Sequence, residues 1–152
     1  MITVREILQK KRIAHNITSP DTLVIDALKM LTAVDLSYLV VLEGNQFKGI
    51  FCERDYCRNV VLKGRSSQTA TVREVMTTDL PIVDLFDTAE HCMKTMNENK
   101  ARYLLALDSS SGFAGNITIH DLLRQVLRNR EYVFDNSVAE KLIEQEEKER
   151  IF

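Results

Sequence analysis

Thr3-Val4-Arg5-Glu6-Ile7-Leu8 returns later in the chain as Thr71-Val72-Arg73-Glu74-Val75-Met76. Outward from this pair the chain keeps repeating itself. Asp21-Thr22 returns as Asp87-Thr88, and Tyr38-Leu39-Val40-Val41-Leu42 as Tyr103-Leu104-Leu105-Ala106-Leu107. Phe47-Lys48-Gly49 returns as Phe113-Ala114-Gly115, and Asp55, Arg58 and Val60 match Asp121, Arg124 and Val126. The offsets are 68, 66, 65, 66 and 66, so small loop insertions account for all the drift. Chance does not keep order and spacing over such a length. The period exceeds that of short solenoid repeats, so each copy is a sub-fold of several elements.

In the first copy, Val4, Ile7 and Leu8 at helical spacing predict a short helix over Thr3–Lys11. Ala14–Ile17 reads as a short strand, stopped by Ser19-Pro20-Asp21. Asp21 or Thr22 caps the next helix, whose apolar face is Val24, Ala27, Leu28, Leu31 and Val34. Tyr38–Leu42 reads as a buried strand, Glu43–Gln46 as a hairpin turn and Phe47–Cys52 as the antiparallel partner. Glu53–Lys63 is the closing helix, and Gly64–Ser67 the linker. The second copy predicts helix Thr71–Met76, strand Leu80–Asp84, helix Asp87–Asn99, strand Tyr103–Leu107, strand Phe113–Thr118 and helix Ile119–Asn129. Each β-α-β-β-α copy buries its sheet on one face only, so two copies would cover each other. The expected fold is α+β: two pseudo-two-fold related repeats packed sheet to sheet, with ligand-sized clefts between them. The boundaries read as 1–68 for the first repeat, 69–130 for the second and 131–152 for a C-terminal helical tail. In that tail Val138, Leu142 and Ile143 make a thin apolar stripe among charges. A helix of about 14 residues is marginal alone, so docking on its own module or a second subunit explains the stripe.

The chain has 152 residues, enough to bury about 70% of its unfolded surface without disulfide or metal. Twenty Lys and Arg against 22 Asp and Glu give a charge of −2, which argues against a nucleic-acid reader. Lys10-Lys11-Arg12 and Arg124, Arg128 and Arg130 form basic clusters, but no aromatics are interleaved with them. No apolar window approaches the roughly 20 residues of a membrane span, and the start lacks the pattern of a signal peptide. Three cysteines without a secretory signal read as reduced thiols in the cytoplasm. On a helix Cys52 and Cys57 point about 140° apart, and Cys92 beside His91 makes no tetrahedral set, so no metal site is expected. Five scattered glycines make neither a GxGxxG nor a Walker loop, and three dispersed histidines join no nucleophile elbow. No enzyme is expected.

Two copies of this element order, each with a Phe-x-Gly hairpin and a following acid, resemble a tandem pair of cystathionine-β-synthase (CBS) domains, a Bateman module. The stretch Gly49–Ser67 is similar to the first-repeat signature of small stand-alone bacterial proteins of this type, which have counterparts in mitochondria and plastids. The resemblance spans Thr3 to about Arg130. It implies a regulatory sensor with no obligatory cofactor, binding an adenosine-containing ligand (AMP, ADP, ATP, NAD or S-adenosylmethionine). It also implies a homodimer that modulates a target protein, itself unidentified.

The family's ligand motif, Ser/Thr-x-x-Asp at the start of the closing helix, is matched by Thr118-Ile119-His120-Asp121. A carboxylate accepts both hydroxyls of a ribose diol, and the N–H groups of a helix start suit a phosphate. The same spacing is also a capping box, and the two roles can coexist. The first copy has Cys52-Glu53-Arg54-Asp55, where a thiol replaces the hydroxyl. Asp55 kept without its capping partner points to ribose binding there as well. Arg102, Arg54, His120, Lys63 and Arg65 are candidate phosphate partners, with a solvated surface charge as the alternative for each. Ile17, Leu39, Val83 and Leu104 would be apolar walls for a base, although they are core residues first. The rival reading is a ligand-free structural adaptor with degenerate clefts, favoured by Cys52 and by Asn116, which interrupts an apolar strand.

Overall fold

The computed structural model describes residues 1–11, 16–33, 37–110, 112–128, 138 and 140–145. In chain order these form α1 (Val4–Lys10), β1 (Ile17–Thr18), α2 (Val24–Ala33), β2 (Tyr38–Glu43), β3 (Gln46–Cys52) and α3 (Glu53–Asp55). A π-helical segment, Tyr56–Val61, continues α3. Then follow α4 (Val72–Val75), β4 (Ile82–Asp84), α5 (Ala89–Asn99), β5 (Tyr103–Asp108), β6 (Gly112–Thr118) and α6 (Ile119–Arg128). The fold is α+β, with two three-stranded sheets ordered β1-β2-β3 and β4-β5-β6. In each, the first strand runs parallel to the second and the second pairs antiparallel with the third. Both hairpins slip register at matching places, between Val41 and Leu42 and between Ala106 and Leu107. The repeat read in the sequence is thus a repeat of pairing geometry. No helix among the described residues is long and apolar enough to cross a membrane.

The compact units are not the two contiguous copies. One unit joins Met1–Arg12 to Leu80–Phe152, and the other is Ile13–Asp79. Each opening helix packs on the sheet of the other copy, so the compact units exchange these helices relative to the sequence repeats. An internal repeat fixes what an element is and leaves open which sheet it covers.

In the 13–79 unit, Leu39, Val41 and Phe51 alternate along β2 and β3 toward Val24, Ala27 and Leu31 of α2. Val72 and Val75 of α4 close that core. Main-chain bonds fix α4 to the start of α2: Val72 N–H to Thr22 O at 2.9 Å, and Val24 N–H to Ala70 O at 2.9 Å. Leu23 bridges Thr71.

In the other unit, Thr3 caps α1 in a reciprocal capping box with Glu6. Val4 N–H reaches Asp87 O at 2.8 Å, Ala89 N–H reaches Ile2 O at 2.9 Å, and Thr3 bridges Thr88. These bonds equate Leu23 with Thr88 and Thr22 with Asp87. The sequence match of Asp21-Thr22 to Asp87-Thr88 is therefore one residue out of register. Thr88 caps α5 by accepting the His91 N–H, whereas the Thr22 hydroxyl pairs with that of Thr18. Val4, Ile7, Met93, Met96, Leu104 and Leu122 form the core, and Leu142 of the tail is buried in it. Of the tail stripe, Leu142 and partly buried Val138 pack on this unit, whereas Ile143 is exposed. Residues 146–152, Asn136-Ser137 and Val34 lie outside the described residues, as does Ala14-His15 of the first expected strand.

The expected regular helix over Glu53–Lys63 is instead wound wide after Asp55, with Leu62 N–H bonding Cys57 O at 3.1 Å. This brings Val60 into the core and lets the Asn59 amide donate to Val75 O at 2.9 Å.

Candidate functional site

In the unit containing α6, strand β6 ends at Thr118 and the helix starts at the next residue. The Ile119 N–H bonds Arg102 O at 3.1 Å, which places the half-buried Arg102 beside this joint. Asp121 is 5% exposed. Its Oδ2 accepts the Thr118 N–H at 2.9 Å, and the Thr118 hydroxyl accepts the Asp121 N–H at 3.2 Å. The capping reading of the motif is thus satisfied. A buried carboxylate also needs a counter-charge. It comes from the end of α1: Lys11 Nζ lies 2.9 Å from Asp121 Oδ2 and donates to Asn116 O at 2.8 Å. Oδ1 meets no donor among the described residues closer than the exposed Arg124 guanidinium, at 4.0 Å. The acid is therefore anchored through one oxygen and leaves the other with accepting capacity.

In the other unit Asp55, also 5% exposed, accepts three donors, at least one on each oxygen. Oδ2 accepts the Cys52 N–H at 2.9 Å and the Cys52 thiol at 3.2 Å. Oδ1 accepts the hydroxyl of Thr77, which follows α4 and is fixed by paired main-chain bonds to Ile50 at 2.9 Å. The inference that Asp55 lacks a structural reason to persist is corrected by these donors. Burial, with the Asp55 charge second, pushes the Cys52 thiol up to about 11 from 9.0. It is a protonated donor to Asp55 and not the lowered-pKa thiolate that redox chemistry needs.

The remaining candidates are distributed unevenly. His120 and Arg54 are half-buried, each one residue before its acid. Lys63 and Arg65 are exposed in the linker, and the Arg65 guanidinium donates to Asn59 O at 2.7 Å, capping the helix end. Leu39 and Leu104 are fully buried and Val83 is 2% exposed, all within the unit cores. Ile17, by contrast, is 54% exposed. Sequence reasoning missed Lys11 and Thr77 as partners of the two acids. Lys11 was visible only as part of a basic cluster, because the exchange of opening helices carries no sequence signal.

Fold and site together define a tandem α+β repeat protein with an acid fixed at the start of each closing helix. Residues 72–128 match the family model of the CBS domain. The CBS domain-containing protein CBSX3, mitochondrial, of Arabidopsis thaliana is 31% identical over 115 residues, 72% of this chain and 55% of that protein. The chain thus spans about half the length of that curated relative. A CBS-domain protein of Burkholderia ambifaria MC40-6 has a solved structure that is similar at 33% identity, with a TM-score of 0.74 over 88% of this chain and 99% of that one. CBSX2, solved in complex with AMP, shares the fold at 23% identity, with a TM-score of 0.69 over 86% of this chain and 99% of that one. The chain belongs to the CBS domain family.

Proposed function

We propose that the chain is a regulatory module that binds an adenine nucleotide (AMP, ADP or ATP, with NAD as a larger variant) at the start of α6. The observation that carries this reading is the half-used carboxylate of Asp121. One oxygen is fixed by Thr118 and Lys11, and the other is left to accept a ribose hydroxyl. The AMP held by CBSX2 on the same fold supports the ligand class. Asp55, which already accepts three donors from its own unit, is the less open of the two acids. Ligand would favour one conformational or homodimeric state by as much as its affinity differs between states, and a target protein would read that state. The three free thiols suit a reducing compartment, for which the cytoplasm is our reading.

Calorimetric titration of the purified chain with AMP, ADP, ATP, NAD and S-adenosylmethionine tests this. Micromolar binding of one adenosine ligand at about one per chain is expected. No heat from any of them, with a folded protein free of carried-over nucleotide, would replace the sensor by a structural adaptor.

A further inference from the structure

The two acids are completed by the same device with different chemistry. Each receives a donor from the residues just after the opening helix of the other copy. For Asp55 that donor is the neutral hydroxyl of Thr77, joined by the neutral thiol of Cys52. For Asp121 it is the ammonium of Lys11, held at 2.9 Å from Oδ2 and anchored on Asn116 O at 2.8 Å. A bare buried carboxylate repels a phosphate brought within several ångströms, and at a protein-like dielectric that repulsion is worth more than a factor of ten. A paired ammonium cancels it. The α6 site therefore sets no uncompensated carboxylate against an arriving phosphate.

Resting on the reading that this site holds an adenosine ligand, we propose that Lys11 is its specificity-determining residue for ligand charge. Its ammonium offsets the Asp121 charge that a phosphorylated nucleoside would otherwise meet, whereas the thiol and hydroxyl that donate to Asp55 are neutral. Lys11 lies at the end of α1 and is 26% exposed, so its stem can follow an arriving phosphate while the ammonium stays close to Asp121. Sequence position gives no hint of this, because Lys11 precedes the first sheet and acts on the second.

The test compares AMP with adenosine, which differ only in the phosphate, on wild type, Lys11→Gln and Lys11→Arg. In Lys11→Gln, AMP affinity is expected to fall about tenfold while adenosine stays within about twofold, because only the phosphate meets the uncompensated charge of Asp121. Lys11→Arg, which keeps the charge, should hold the AMP-to-adenosine ratio. Lys11→Met, which keeps the apolar stem, gives the same readout should glutamine disturb the fold. An equal fall for both ligands would make Lys11 a structural residue and overturn the proposal, as would an unchanged AMP affinity. Wild type that binds neither AMP nor adenosine would overturn the nucleotide reading itself, and the role of Lys11 with it.

Discussion

Asp55 and Asp121 look alike in the sequence and differ in what surrounds them. Both acids, and the difference between Cys52 and Thr118 before them, were legible, because a motif and its departures are local. Their third partners were not, since Thr77 and Lys11 arrive from the opposite copy. The thiol shows how far such surroundings reach. Cys52 is protonated up to about pH 11, and Cys92 is pushed up to about 12, by burial first and then by Asp87. At pH 8 a thiol reagent should therefore label exposed Cys57 first, half-buried Cys52 more slowly and buried Cys92 last, which mass spectrometry will resolve. Linkage has a definite sign here. The folded state holds these protons more tightly than the unfolded state, so both contributions are complete below pH 9. They are lost as pH rises, between 9 and about 11 for Cys52 and between 9 and about 12 for Cys92. Urea midpoints that rise with pH across that range would contradict the assignment.

At the scale of elements, the order was readable from periodicity and turn residues, while the partner of each opening helix was not. The Phe-x-Gly of each hairpin shows why those glycines stand where they do. A Cβ at Gly49 would lie 2.5 Å from the main-chain oxygen of Thr77, and one at Gly115 would lie 2.8 Å from the Leu8 side chain. Both are places where the exchanged helix region crosses a strand closely. The two differ in what must yield. The Thr77 carbonyl is locked in its bridge to Ile50, whereas the tip of Leu8 can change rotamer. Gly49→Ala, which meets a fixed carbonyl, and Gly115→Ala, whose positive φ is one an L side chain rarely adopts, should each cost about 2 kcal/mol, measured by urea denaturation. A cost below about 0.5 kcal/mol at either position would contradict the close crossing there. The π-helical turn after Asp55 was invisible because Tyr56–Val61 carries ordinary helical residues.

For the whole molecule, composition and the repeat were enough to place an α+β tandem, but not to say which stretches make a unit. Ile2, Val4 and Ile7 belong to the core of β4, β5 and β6, some 80 positions downstream. Removing residues 1–12 deletes three buried side chains worth roughly 1.5–3 kcal/mol each, a large part of a stability of about 5–15 kcal/mol. Hydrogen exchange on that truncation should show protection lost across β4–β6 and largely kept in β1–β3. Loss confined to β1–β3 would contradict the packing of α1 on the second sheet. The central claim is that one acid of the pair is free to hold a nucleotide, and the most direct measurement is AMP calorimetry on Asp121→Asn beside Asp55→Asn. Asparagine keeps the shape and the capping oxygen and removes the charge. The expected result is an AMP affinity about 30-fold lower in Asp121→Asn, the roughly 2 kcal/mol of a charged hydrogen bond, with Asp55→Asn close to wild type. Unchanged binding in a folded Asp121→Asn, or loss only in Asp55→Asn, would contradict it.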